Sequence, residues 1–170
     1  MAAVKTFIGA ARRSPHRHCM NADERFEELE RVIADLAEKN DEAAIIVEGE
    51  RDVRALRALG VSGRIVTLHR GVSVLHLCER LAADHRPVVI LTDWDVRGGQ
   101  LARLLRDGLA ANGVPYDDEF RARLAALTAK EIKAVEDLHR HVENLRPRGA
   151  NGRRRIRSNR AWYSERSRRP

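Results

Sequence analysis

Apolar residues in the first part of the chain recur at the spacing of an amphipathic helix. They lie three or four positions apart, which places their side chains on one helical face: Phe26, Leu29, Val32, Ile33 and Leu36. Before them, Asn21 and Glu24 have the residue types and the spacing of a capping box at a helix start. We therefore expect a helix that begins after Asn21 and ends near Asn40.

Three short apolar runs then alternate with helical patterns. The runs are rich in β-branched residues, predict buried strands and cover residues 43–47, 64–69 and 87–92. The helical patterns cover residues 51–59, 72–85 and 100–112. Alternation of this kind predicts right-handed strand–helix–strand crossovers. We therefore expect an α/β fold, in which a parallel sheet of about four strands has helices on both faces.

The pattern after residue 114 is helical. Residues 119–127 predict one helix, and Thr128 with Glu131 predicts a capping box that opens a second helix ending near Leu145. No internal repeat and no linker interrupt residues 21–145. We therefore expect a single domain over that range, with the C-terminal helices packed against the sheet.

Charge is distributed unevenly along the chain. The 170 residues have a formal net charge of +7, but residues 21–145 contain 18 Lys+Arg against 24 Asp+Glu. Residues 1–20 contribute +4 and residues 146–170 contribute +9. The composition of these two ends predicts disordered basic extensions, and an arginine-rich tail is suited to phosphate contacts with RNA or DNA. A solvated tail without a specific partner is the alternative.

Hydropathy and cysteine usage bear on where the protein works. No uncharged apolar run approaches the roughly 18 residues of a transmembrane helix, and no apolar stretch follows the basic residues at the N-terminus. Cys19 and Cys78 lie far apart and form no CxxC motif. We therefore expect a cytoplasmic protein with reduced cysteines and no membrane association.

Acidic residues follow two of the three predicted strands. Glu48 comes directly after the first strand, and Asp93 and Asp95 follow the third. Ligands of open α/β sheets bind beyond the carboxyl ends of the strands, where these carboxylates would face one another. Their oxygen atoms suit a hard divalent cation, so we expect Glu48, Asp93 and Asp95 to hold Mg²⁺, with Mn²⁺ as a substitute. The alternative is that these acids are helix caps or loop residues.

Glycines accompany these acids. Gly49 and the pair Gly98 and Gly99 each precede a predicted helix, where a missing Cβ lets the backbone turn sharply and approach a phosphate group. Arg70 and Gly71 follow the second strand at the same edge, where Arg70 could bind a phosphate oxygen, with a solvated loop as the alternative. We expect these five residues to form a phosphate-binding or nucleic-acid-binding surface beside the cation. That combination serves phosphoryl transfer.

The two acidic motifs, residues 45–52 (IIVEGERD) and 90–98 (ILTDWDVRG), resemble the signature motifs of the toprim superfamily. This superfamily includes topoisomerases, bacterial primases and the 5S ribosomal RNA maturase nucleases. The resemblance covers about residues 43–113. It is closest to small archaeal toprim proteins and to the maturase-like nucleases, in which the second motif has the form LTDxDxxG and a long helix follows. It implies a toprim-like, Rossmann-like fold.

The resemblance also implies a role for each matching residue. Glu48 corresponds to a general acid/base or metal-binding glutamate, and Asp93 and Asp95 correspond to metal-binding aspartates. The remaining matches are the turn glycines and the acid that closes the first motif: Gly49, Gly98 and Asp52. The larger toprim enzymes have further domains that grip nucleic acid, for which this chain has no room. We therefore expect no processive or topological activity.

The function expected from these features is that of a Mg²⁺-dependent phosphodiesterase acting on RNA or DNA, with RNA processing as one role. Two alternatives remain open. One is a non-catalytic nucleic-acid-binding or assembly module that keeps the metal site for phosphate docking. The other is an enzyme acting on a small phosphate compound, which the acidic charge of residues 21–145 favours because a polymer channel is normally basic. The oligomeric state also remains open.

Overall fold

The first helix, α1, spans Ala22–Glu42 and begins as its sequence predicts. In the computed structural model, which describes residues 20–68, 71–128 and 130–147, Asn21 Oδ1 accepts a hydrogen bond from the backbone N of Glu24 at 2.8 Å. The Glu24 carboxylate accepts one in return from the backbone N of Asn21 at 3.0 Å. The capping box pairs two backbone donors that would otherwise lack partners. The predicted helix start is confirmed.

Strands and helices alternate after α1, as the apolar runs predict. The elements are β1 (Ala44–Val47), α2 (Glu50–Ala58), β2 (Ile65–Thr67), α3 (Val74–Ala83), β3 (Val88–Ile90), α4 (Val96–Ala111) and β4 (Tyr116–Asp117). They are followed by α5 (Glu119–Thr128), a short 3-10 helix (Val135–Asp137) and α6 (Leu138–Leu145). The sequence pattern does not predict β4, because two residues are too few to show a period.

The four strands form one parallel sheet in the order β2-β1-β3-β4. β1 lies between β2 and β3, so that Ile46 is paired with both Val66 and Ile90. Because every pair is parallel, the carboxyl ends of neighbouring strands lie at the same edge of the sheet. The sheet therefore brings the ends of β1 and β3 side by side, as a site built from the two acidic motifs requires.

Alternate residues of the central strands enter two separate cores, one on each face of the sheet. On one face, Ile45 and Val47 of β1 pack with apolar residues of α1, α2, α5 and α6. On the other face, Ile46 packs with residues of α3 and α4. The two central strands, β1 and β3, contain no polar residue because helices cover both of their faces. The predicted α/β fold, a four-stranded parallel sheet with helices on both faces, is confirmed.

The predicted start of α4 is wrong. The helix begins at Val96 rather than at Gln100, with Asp95 as its N-cap. Gly98 and Gly99 therefore lie in the first turn of α4 and do not precede it. The apolar pattern missed this turn because two adjacent glycines are poor helix formers.

The predicted capping box at Thr128 and Glu131 is also wrong. Thr128 is the last residue of α5, and its hydroxyl donates to the carbonyl oxygen of Leu124 at 2.8 Å. Glu131 instead forms an ion pair with Arg25 of α1. Residues 130–134, which precede the 3-10 helix, form a loop.

Parts of the two predicted basic extensions, residues 1–19 and 148–170, lie outside the described residues, as do His69 and Arg70. Within the described ranges, no helix combines the length and the apolar character needed to cross a membrane.

Candidate metal and phosphate site

Glu48 and Asp93 meet at the edge where β1 and β3 end. Glu48 follows β1 directly, and its Oε1 accepts a hydrogen bond from the backbone N of Asp93 at 3.1 Å. The two residues are 45 positions apart in the sequence, and the pairing of β1 with β3 brings them together. Two of the three predicted metal ligands are therefore in direct contact through this bond.

Asp93 lies in a partly buried and negatively charged environment. Its Oδ1 accepts a hydrogen bond from the backbone N of Val135 at 2.8 Å. The pKa of Asp93 is raised to about 6, mainly because burial disfavours the charged carboxylate. The hydrogen bond from Val135 lowers this pKa, whereas the nearby acidic charges raise it; these are Glu48, Asp52 and Asp95. Repulsion of this kind is what a bound cation would remove.

Asp95 lies at the exposed start of α4. Its Oδ1 accepts a hydrogen bond from the backbone N of Gly98 at 2.7 Å, so the side chain caps the helix. The helix-cap alternative therefore describes this contact correctly. Asp95 nevertheless remains close enough to Asp93 for its charge to raise the pKa of that carboxyl.

The sharp backbone turn predicted at Gly98 is absent, because this residue lies within the first turn of α4, and its part in phosphate binding stays a prediction. A Cβ at this position would lie 2.0 Å from the carbonyl oxygen of Asp93. The missing side chain therefore lets the first turn of α4 pack directly on the backbone of Asp93. At Gly99 the nearest atom to such a Cβ would be Nη2 of Arg121, at 3.8 Å, so this position has room for a side chain.

Gly49 is the N-cap of α2 and has an extended backbone with φ −154°. No atom lies within 4 Å of the position a Cβ would take, so the backbone is open on that side. Its N–H, however, donates to Oδ2 of Asp52 at 2.9 Å and is not available for a phosphate in this conformation. Asp52 is buried, and burial is the main cause that raises its pKa. It acts here as the capping residue of α2.

The second predicted strand contributes less to the described site. Gly71, which follows the carboxyl end of β2, has φ +96°, a backbone conformation that favours glycine. Among the described residues it forms no hydrogen bond with Glu48 or Asp93. The predicted phosphate contact of Arg70 falls outside the described residues and stays a prediction.

The donor set fits a hard cation in its chemistry. One oxygen of each predicted ligand accepts a backbone hydrogen bond, which orients the carboxylate; these ligands are Glu48, Asp93 and Asp95. Within the described residues, the other oxygen of each carboxylate has no hydrogen-bond partner and could bind a cation. As these side chains stand, however, the described residues contain no group of three His, Cys, Asp or Glu side chains arranged to hold a metal ion. The three carboxylates remain the predicted ligands, and binding would require their free oxygens to converge.

Residues of the C-terminal segment that the sequence analysis did not assign also reach this edge. The Trp94 indole N–H donates to the carbonyl oxygen of Ile132 at 2.8 Å, and its backbone N donates to that of Lys133 at 3.0 Å. Arg121 of α5 binds the backbone of Thr92 and Asp93. No sequence signal marks these partners, because each is at least 28 positions from the residue it contacts.

Comparison with known proteins agrees with this architecture. The family model described as the Toprim domain matches residues 43–127, which is half of the chain and includes both acidic motifs. The chain therefore belongs to the toprim-domain family.

Relatives of similar length come from archaea and are named UPF0292 proteins. The chain is 38% identical over 125 residues to the one from Methanosarcina acetivorans, which covers 72% of this chain and 85% of the relative. It is 41% identical over 125 residues to the one from Pyrococcus furiosus, covering 74% and 92%. A solved structure of a protein from Aquifex aeolicus has a TM-score of 0.51 at 25% identity, covering 69% of this chain and 97% of that one.

The resemblance to the toprim superfamily and its small archaeal members is confirmed. The closer resemblance to the 5S ribosomal RNA maturase nucleases stays a prediction. Toprim domains generally bind a divalent metal and often act on nucleic acids, so family membership supports a metal-binding, nucleic-acid-related function. The names of the relatives state no activity.

Proposed function

We propose that this protein is a Mg²⁺-dependent phosphodiesterase acting on nucleic acid, with RNA processing as one role. The observation that carries the proposal is the contact between the Glu48 carboxylate and the backbone N–H of Asp93 at the carboxyl edge of the sheet. This contact joins the two acidic motifs where open α/β sheets bind their ligands. The negative charge around Asp93 supports a cation at this place.

Each acidic residue has a separate part in this proposal. Asp93 and Asp95 would hold the ion, because hydrogen bonds from Val135 and Gly98 orient their carboxylates and leave one oxygen of each available. A bound Mg²⁺ would stabilise the negative charge that develops on a phosphoryl oxygen. Glu48 would give or take a proton at Oε2, since its Oε1 is held by the Asp93 N–H.

Glu48 has a second possible role within the same proposal. If two ions bind, its Oε2 would serve as a metal ligand and the proton transfer would fall to another group. The two roles share one requirement, which is that the hydrogen bond to Asp93 fixes the orientation of the carboxylate.

A polymeric substrate is favoured over a small phosphate compound by the lining of the described cavities and by the charge of the C-terminal residues. Two cavities of about 340 Å³ and 410 Å³ have five and three acidic side chains among their eight lining residues, with Asp117 and Glu119 in both, and these charges disfavour a phosphate compound. Both include residues of α1 and the start of α5, whereas the candidate site lies where β1 and β3 end. The +9 charge of residues 146–170 provides the sequence-independent attraction that a nucleic acid requires.

One observation favours a non-catalytic binding module as the second candidate. Each of the three acids already accepts a backbone hydrogen bond, and the described residues contain no preformed group of three metal ligands. In that case the same edge would dock a phosphate group without cleaving it.

A cleavage panel separates the two candidates. Wild type is incubated with structured RNA, single-stranded DNA and duplex DNA in the presence of Mg²⁺, Mn²⁺ or a chelator, beside Asp93→Asn. Asp84→Asn is the matched control, because it is the same substitution at an aspartate that lies away from the site, in an ion pair with Arg64. We expect metal-dependent cleavage that Asp93→Asn abolishes and Asp84→Asn leaves intact. Binding without cleavage in every condition would support the module instead.

A further inference from the structure

Arg121 extends from α5 to the candidate site. Its Nε lies 3.1 Å from both the carbonyl oxygen and the Oγ1 of Thr92, and its Nη2 donates to the carbonyl oxygen of Asp93 at 2.7 Å. The guanidinium therefore lies against the backbone of the second acidic motif. Its Nη2 is also the atom that a Cβ at Gly99 would approach, which places it beside the first turn of α4.

The charge of Arg121 is not compensated by an acid in the described part of the chain. Four of the described arginines are partly buried, and three of them pair with carboxylates: Arg25, Arg106 and Arg123. Arg121 is the fourth, and all of its acceptors within the described residues are neutral, two carbonyl oxygens and one hydroxyl. A partly buried charge with only neutral partners is costly to maintain unless an anion completes its environment.

Arg121 also retains hydrogen-bonding capacity. A guanidinium has five N–H groups, and the contacts with Thr92 and Asp93 use the Nε–H and one N–H of Nη2. Among the described residues, the two N–H groups of Nη1 and the second N–H of Nη2 have no acceptor. Two donors side by side on a fixed plane match two oxygens of a phosphate group.

We propose that Arg121 binds a phosphate group of the substrate at the candidate site, next to the carboxylates that would hold the cation. The inference rests on the proposed function, and names the residue that recognises the phosphodiester. The carbonyl contacts fix the plane of the guanidinium, so that its unused edge is oriented before the anion arrives. Arg121 thus supplies a positive charge at the edge that β1 and β3 share.

Phosphate binding by the folded full-length protein tests the proposal. Inorganic phosphate is titrated into ¹⁵N-labelled wild type, with and without Mg²⁺, while the amide signals of Thr92 and Asp93 are followed by NMR. The same titration is made with Arg121→Gln, Arg121→Lys and the control Arg123→Gln, which removes an equal charge from the same helix but from ion pairs with Glu28 and Asp35. A short single-stranded RNA then replaces phosphate, to separate a terminal phosphate from an internal phosphodiester.

We expect Arg121→Gln to weaken phosphate and RNA binding by about 10-fold or more, because a charge-assisted bidentate contact is lost. Arg121→Lys should recover part of this loss, since it retains the charge without the planar pair of donors. Arg123→Gln should bind as wild type does. The proposal is overturned if Arg121→Gln melts at a lower temperature yet binds phosphate as tightly as wild type does, because Arg121 then only stabilises the backbone. It is also overturned if wild type does not bind phosphate either with or without Mg²⁺.

The outcomes also separate this proposal from the proposed function. Arg121-dependent phosphate binding without any metal-dependent cleavage would contradict the proposed nuclease function and support phosphate binding by Arg121. Metal-dependent cleavage, with the same KM and the same phosphate affinity in Arg121→Gln as in wild type, would support the nuclease function and contradict phosphate binding by Arg121. If Arg121→Gln does not fold, Arg121→Lys decides, because it should still bind phosphate more weakly than Arg123→Gln does.

Discussion

Gly98→Ala and Gly99→Ala form a matched pair that tests how the second acidic motif is packed. Both residues lie in the first turn of α4, so both substitutions gain the same helix propensity. They differ in what a Cβ would meet. At Gly98 it would lie 2.0 Å from the Asp93 carbonyl oxygen and 2.6 Å from the carbonyl carbon, whereas at Gly99 the nearest atom is 3.8 Å away.

The expected magnitudes follow from these distances. The atoms that oppose a Cβ at Gly98 belong to the backbone, so they can move away only if α4 or the Asp93 segment shifts. Overpacking of this kind costs about 1–3 kcal/mol, which cancels or exceeds the helix-propensity gain of about 1 kcal/mol from replacing glycine. Gly99→Ala gains that propensity without a clash. Because the propensity gain is common to both variants, their free energies of unfolding should differ by the overpacking cost of about 1–3 kcal/mol, with Gly98→Ala the less stable.

Urea unfolding of both variants and of wild type measures this difference directly. Gly98→Ala should also respond less to Mg²⁺, because the shift displaces the Asp93 backbone that Glu48 and Arg121 contact. Equal unfolding free energies for the two variants, or a Gly98→Ala protein more stable than wild type, would show that α4 does not pack on Asp93 as described.

Three further predictions concern charge. Because the pKa of Asp93 is raised, the metal-free protein should lose stability as the pH rises from about 4 to about 6. At pH 7 the free energy of unfolding of Asp93→Asn should therefore exceed that of wild type by about 1 kcal/mol after solvent screening is allowed for. In thermal melts, Mg²⁺ should stabilise Asp93→Asn less than wild type. Burial lowers the pKa of His141 below its usual 6.5, so wild type should lose stability as the pH falls below 6.5, whereas the melting temperature of His141→Gln should depend less on acid. Identical pH profiles for the two proteins would contradict this prediction. Deleting residues 146–170 removes a net charge of +9, so RNA and DNA binding should weaken and lose most of its salt dependence. Filter binding at several salt concentrations measures this dependence. If the affinity of the truncated protein depends on salt as strongly as that of wild type, these residues do not contact the nucleic acid.

The alternation of strands and helices was predictable because it depends on local pattern. The central strands β1 and β3 are short apolar runs, because helices on both faces leave no solvent-exposed position in them; Ile45 and Ile46, for example, enter opposite cores. The capping box at Asn21 and Glu24 was equally local. The same motif at Thr128 misled, because a hydrogen bond to Leu124 and the pairing of Glu131 with Arg25 prevailed over the local capping preference.

The candidate site was predictable only where chain topology determines it. A parallel sheet puts the ends of neighbouring strands together, so the meeting of Glu48 and Asp93 follows from the order of the strands. The partners supplied by the C-terminal segment could not be found in this way. Arg121 and Val135 reach Asp93 through the packing of α5 and of the 3-10 helix, and nothing in the residue pattern specifies that packing.

Glu48→Gln is the substitution that bears most directly on the proposed activity. Glutamine keeps the Oε1 acceptor that binds the Asp93 N–H, so the site should retain its shape. It cannot give or take a proton at the second position of the side chain, where the amide nitrogen replaces Oε2. The variant therefore separates the chemistry of Glu48 from its structural contact.

The decisive measurement is the single-turnover cleavage rate of a bound RNA or DNA substrate by wild type and Glu48→Gln in Mg²⁺, with binding affinity measured on the same samples. We expect wild type to cleave and Glu48→Gln to cleave at least about 10²-fold more slowly, with nearly unchanged affinity. A wild-type protein that is inert towards structured RNA, single-stranded DNA and duplex DNA with both Mg²⁺ and Mn²⁺, or a Glu48→Gln variant that cleaves as fast as wild type, would contradict the proposed nuclease function.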